Sequence, residues 1–130
     1  MQLYLVRHAD ATPGDPDELR SLSDEGHEQA RELGERLRAQ GVAPDVVLTS
    51  PLLRARETAE VLARATGATY ETDARLAPGA TAETLREAVS GRGEHVVAVG
   101  HQPDCGRIAA TLRGGEEPPF PPAGMVVIQL

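Results

Sequence analysis

Five short runs rich in Val and Leu alternate with amphipathic helical patterns along the whole chain. This alternation constrains the fold more than any single residue does. The strand-like runs fall at about residues 2–6, 45–49, 68–72, 95–99 and 125–130, each bounded by Gly, Pro or Asp. Ser23 is placed to cap a helix over roughly 24–40, with Ala30, Leu33, Gly34 and Leu37 on one face and Gly41 at its end. Ser50-Pro51 reads as an N-cap with proline in the first helical position, opening a helix that runs to about Thr66 and stops at Gly67. Thr81 is placed to cap a third helix over roughly 82–90. A fourth starts near Pro103 and carries Cys105, Ile108, Ala109 and Leu112 at helical spacing before Gly114-Gly115. The order predicts an α/β protein: a three-layer α/β/α sandwich with a mostly parallel central sheet. A chain of 130 residues fits one domain over 1–130, and with no Trp its core must come from Leu, Val, Ile and Ala.

Charge narrows the function. The net charge is −7, which disfavours nucleic-acid binding because that needs a basic face. All thirteen basic residues are Arg, so a Walker-type phosphate loop, which needs Lys, is excluded. A phosphate site would have to use Arg, His and backbone N–H groups. The lone Cys105 allows no disulfide framework and suggests a reducing compartment. No signal-like or membrane-length apolar segment is present, so a soluble, cytoplasmic protein with no membrane partner is expected.

Four cationic or imidazole residues stand at or just past the carboxyl ends of predicted strands, where open α/β sheets form their ligand crevice. Arg7 and His8 follow the first run. Arg54 lies just past the second, beyond Thr49-Ser50-Pro51. His101 follows the fourth, in Gly100-His101-Gln102-Pro103. Histidine can accept a phosphoryl group as a nucleophile, and the planar fork of arginine fits phosphate oxygens. In a parallel sheet these ends share one edge, so the four side chains can converge.

The ordered set resembles a known family. Arg7-His8-Ala9, Leu22-Ser23-Asp24-Glu25-Gly26 with Gln29-Ala30, Ser50-Pro51-Leu52-Leu53-Arg54-Ala55-Arg56-Glu57-Thr58-Ala59, and Gly100-His101 are similar to the histidine phosphatase superfamily, the phosphoglycerate-mutase-like fold. The short length, Arg7-His8-Ala9-Asp10 and Gly100-His101-Gln102-Pro103-Asp104 resemble its small SixA-type branch of phosphohistidine phosphatases. The resemblance runs from Leu3 to Val127. It implies that His8 is the phosphorylated nucleophile and that Arg7, Arg54 and His101 bind the transferring phosphoryl group.

The general acid is where the chain departs from the larger family. Many members carry a Glu in the loop after the third strand; here that loop reads Arg75-Leu76-Ala77-Pro78-Gly79-Ala80-Thr81, with no carboxylate until Glu83. Asp10 has two readings, a substitute catalytic acid or a loop-capping Asp. Glu83 reads as a first-turn carboxylate favoured by the helix dipole. His27 reads as a helix-face residue near the core edge, His95 as exposed and Cys105 as core. Asp15, Asp17 and Glu18 read as a solvated loop able to act as a lid. No paired His or Cys spacing suggests a metal, and no cofactor is expected.

The resemblance implies a metal-independent phosphatase working through a phosphohistidine, on protein phosphohistidine. The alternatives are a broad small-molecule phosphomonoesterase and a non-catalytic phosphate-binding or scaffolding module. The partner is a phosphorylated protein or a small phosphorylated substrate.

Overall fold

A computed structural model describes residues 1–130. Its strands are β1 (Gln2–Arg7), β2 (Val46–Thr49), β3 (Tyr70–Thr72), β4 (His95–Gly100) and β5 (Met125–Gln129). Its helices are α1 (Asp24–Ala39), α2 (Leu53–Thr66), α3 (Ala82–Val89) and α4 (Asp104–Arg113), with 3-10 turns at Asp17–Leu19 and Ala74–Leu76. The strands form one sheet in the order β3-β2-β4-β1-β5. All neighbours are parallel except β5, which runs antiparallel to β1.

Alternating strand residues feed two separate cores, because successive side chains point to opposite faces. Leu3, Leu5, Leu48, Val96 and Ala98 meet Leu85 and Val89 of α3 and Ile108 of α4 on one face. Tyr4, Val6, Val47, Val97 and Val99 meet Leu33 and Leu37 of α1 and Ala59 and Leu62 of α2 on the other. Cys105 lies fully inside the first core, and burial pushes its thiol up to about 12, which makes it inert packing. The helices on the second face approach closely: a Cβ on Gly34 would come 2.8 Å from the Cβ of Ala65.

Local signals set most helix ends. The Ser23 hydroxyl accepts from the Gly26 N–H, a cap of the kind that stabilises by about 1 kcal/mol. Thr81 and Thr84 form a capping box at α3, and Gly67 closes α2 at φ +79°. The start of α2 departs from expectation. Its N-cap is Leu52, which is extended at ψ 141°, and no side chain caps it. Ser50 and Pro51 therefore lie before the helix, and Ser50 points its hydroxyl elsewhere.

Topology places a crevice between β1 and β4. From β1 the chain leaves through α1 towards β2 on one side; from β4 it leaves through α4 towards β5 on the other. Adjacent parallel strands whose connections diverge in this way define a switch point, where α/β sheets bind ligands. The register pairs Arg7 with Gly100, so His8 and His101 are the first residues beyond that edge.

Candidate active site

His8 and His101 face each other across the crevice, with ring centroids 5.1 Å apart and planes at 58°. The His8 N–H donates to the Gly100 carbonyl at 3.0 Å, which ties the two strand ends together. A carbonyl only accepts. The 2.7 Å contact between His8 Nδ1 and the Ala9 carbonyl therefore puts the ring proton on Nδ1. His8 Nε2 is left with its lone pair, the form a nucleophile needs.

Four hydrogen bonds hold the loop that carries His8. Ala9 N–H donates to Thr58 Oγ1, and Thr58 Oγ1 donates to the Arg54 carbonyl, so α2 positions His8 and Arg54 together. Asp10 N–H donates to Gln29 Oε1 of α1. The Asp10 carbonyl accepts from Ser23 N–H and lies so close to Gly26 that a Cβ there would come within 1.9 Å of the carbonyl oxygen. Gly26 is thus a close-approach glycine under the loop. The Asp10 carboxylate takes the Ser23 hydroxyl at 2.6 Å, which is the loop-capping geometry. Glu83 is exposed in the first turn of α3.

The two arginines are pinned from behind. Arg7 Nη1 donates to the Phe120 carbonyl, so the connector before β5 orients it. Arg54 is only 6% exposed; its Nη1 donates to the Asp17 carbonyl and its Nη2 to the Asp17 carboxylate. In both residues Nε is buried without a partner. Buried charged donors left unpaired are costly, and both belong to arginines near enough to act on the charge of His8.

The structure thus brings His8, Arg7, Arg54 and His101 together. It also adds residues that sequence reading passed over. Asp17, read as solvated loop, docks on Arg54 and also accepts from Arg20. Those two arginines, Arg20 first, hold its carboxyl below the usual range, so it is ionised. Arg20 is near enough to His8 to act on its charge. Thr58, Gln29 and Ser50 could have been suspected only from their places within the family-like runs, since each acts on a residue distant in sequence.

Burial lowers the His8 pKa, opposed by the Ala9 hydrogen bond and aided by Arg54, Arg7 and Arg20. Burial, with His8 and Arg54, pushes His101 down to about 3. His101 therefore stays neutral in the fold down to about pH 3, whereas the unfolded chain protonates it near 6.5. Below that pH the unfolded state binds more protons, so stability falls as pH falls. His101 alone accounts for a loss of about 2 kcal/mol between about pH 7.5 and 5, above the range where most carboxylates titrate. Urea unfolding across that window should show a shallower pH slope in His101→Gln than in wild type. An unchanged slope would mean that the fold does not hold His101 neutral.

The site is not a deep pocket. A surface hollow of about 410 Å³ lies between α1 and α2 and is lined by residues such as His27, Arg31 and Arg64, not by His8 or His101. Nowhere do three His, Cys, Asp or Glu side chains gather as a metal-binding group. No helix is long and apolar enough to cross a membrane.

The family model of the histidine phosphatase superfamily (branch 1) matches residues 3–81. An uncharacterised protein of Picosynechococcus sp. is 37% identical over 124 residues, covering 89% of this chain and 75% of its own. The mitochondrial serine/threonine-protein phosphatase Pgam5 of Drosophila grimshawi is 38% identical over 61 residues, 46% of this chain and 21% of its own. Among solved structures, the protein histidine phosphatase SixA complexed with tungstate superposes at a TM-score of 0.90, with 27% identity over 100% of this chain and 88% of that one. Chain order, site geometry and these matches agree: this chain is a phosphatase that belongs to the histidine phosphatase superfamily, and it is of the SixA type.

Proposed function

We propose that the chain hydrolyses phosphohistidine carried on a protein, without a metal, through a phosphorylated His8. The observation that carries this reading is a bare His8 Nε2 with two guanidiniums, Arg7 and Arg54, near enough to act on its charge, each keeping an Nε–H without a protein partner. Donors preorganised in this way match the equatorial oxygens of a transferring phosphoryl group. His8 Nε2 would attack phosphorus as the bond to the leaving group breaks. Water would then attack phospho-His8, releasing inorganic phosphate and restoring the ring. Arg7 and Arg54 would balance the charge that a metal ion supplies in other phosphatases.

The choice of substrate follows from the absence of a ready proton donor. Asp10 is engaged by Ser23, and Asp17 is held ionised by two arginines. A phosphohistidine ring can protonate from solvent and leave as neutral imidazole, whereas a sugar or serine alkoxide needs an acid at the bond. A shallow site also admits a group presented on a larger surface.

The test is a hydrolysis panel of phosphohistidine protein, aryl phosphates of graded leaving-group pKa, phosphoserine and sugar phosphates, run with and without EDTA. Phosphohistidine and activated aryl phosphates should turn over and survive EDTA, and the others should be slow. Asp10→Asn should leave the activated substrates nearly unchanged. A flat dependence on leaving-group pKa would favour the broad phosphomonoesterase instead. Loss of activity in EDTA, restored by a divalent ion, would contradict the metal-free reading.

A further inference from the structure

The hydroxyl that does not cap α2 is the partner of His101. Ser50 follows β2, and its N–H donates to the Val99 carbonyl, which sets it beside the end of β4. Its Oγ accepts the Leu52 N–H at 3.2 Å and lies 2.7 Å from His101 Nε2. Ser50 is fully buried, and His101 is 4% exposed. A hydroxyl has one proton to give, and a buried donor without an acceptor is costly. His101 Nε2 is the acceptor within reach of that proton. If Nε2 carried a hydrogen instead, the Ser50 proton would have no partner.

We infer that Ser50 is a positioning residue that locks His101 as the neutral Nδ1–H tautomer. The assignment of that N–H to a phosphoryl oxygen rests on the proposed function; the tautomer does not. The device matters because the opposite tautomer would turn a lone pair, not a donor, towards an anionic group. His101 makes no other side-chain hydrogen bond within the protein, so Nδ1–H is the donor it has to offer. The two functions of the second strand end are then joined: the same turn places Arg54 on α2 and fixes the proton of His101.

The decisive experiment is ¹⁵N NMR of the histidine rings in the resting protein near neutral pH, followed by kinetics on an aryl phosphate. In wild type, His101 should show a protonated Nδ1 and a bare Nε2. Ser50→Ala should give mixed tautomers and a fall in kcat of about tenfold to a hundredfold, the scale seen for hydrogen-bond partners that orient metal-binding histidines. KM should move less than kcat. Ser50→Thr, which keeps the hydroxyl, should keep the single Nδ1–H form. A proton on Nε2 in wild type overturns the inference, whether or not the variants fold. So does Ser50→Ala with one Nδ1–H tautomer and wild-type kcat. A chain that hydrolyses no phosphorylated substrate yet shows the Nδ1–H form would refute the proposed function and leave the Ser50 assignment standing.

Discussion

His8→Ala is expected to lower turnover of any good substrate by at least about a thousandfold, because removing a nucleophile leaves only binding and charge stabilisation. The fold should survive. His8 is at the rim of the sheet, outside both hydrophobic cores, and its backbone N–H bond to Gly100 does not depend on the ring. Thermal unfolding within a few degrees of wild type would show that the loss is chemical. His8→Ala should also still bind tungstate or vanadate, since Arg7, Arg54 and His101 remain. A variant that keeps even a tenth of wild-type kcat would remove His8 from the reaction.

Arg54→Ala is the second large effect, a fall in kcat of about a hundredfold or more, the scale seen when one preorganised donor to a developing charge is lost. Three consequences separate it from a general structural defect. The buried Nε donor disappears, so oxyanion binding should weaken with turnover. The Asp17 turn loses its anchor, since both Arg54 contacts to it are gone. The His8 pKa should rise towards 6.5, because a positive charge that lowers it has been removed. Arg54→Lys should recover little, because an ammonium cannot hold Asp17 with two nitrogens and present a third to phosphate. NMR titration of His8 in both variants checks the direction; a His8 pKa that falls or stays fixed in Arg54→Ala would place Arg54 outside the site.

Much of this site was legible in the sequence because its parts sit at strand ends. Arg7-His8 closes an apolar run, and Gly100-His101 closes another, so parallel pairing alone puts them on one edge. What was not legible depends on order and distance. Nothing local says that β4 lies between β1 and β2, yet that insertion sets His101 against both His8 and Ser50. The antiparallel direction of β5 is likewise a tertiary outcome. Ser50-Pro51 carried a sound local signature for a helix cap, but the helix starts later, at Leu53; the Ser50 Oγ accepts only the Leu52 N–H and lies against His101, 51 residues away. Asp17 has the composition of a solvated loop, and only the fold reveals that its carbonyl and carboxylate meet a buried guanidinium. The loop-capping reading of Asp10 rests on the same kind of fact: the Ser23 hydroxyl, thirteen residues on, donates to its Oδ2, and the Asp10→Asn variant tests its reading as an acid.

The central claim is that a phosphoryl group passes through His8. Rapid-quench trapping with ³²P-labelled substrate, followed by peptide mapping under basic conditions that preserve phosphoramidates, tests it most directly. The account predicts an acid-labile, base-stable label on His8, formed and lost at rates consistent with kcat and absent from His8→Ala. Label on His101, or full turnover with no label on His8, would contradict it.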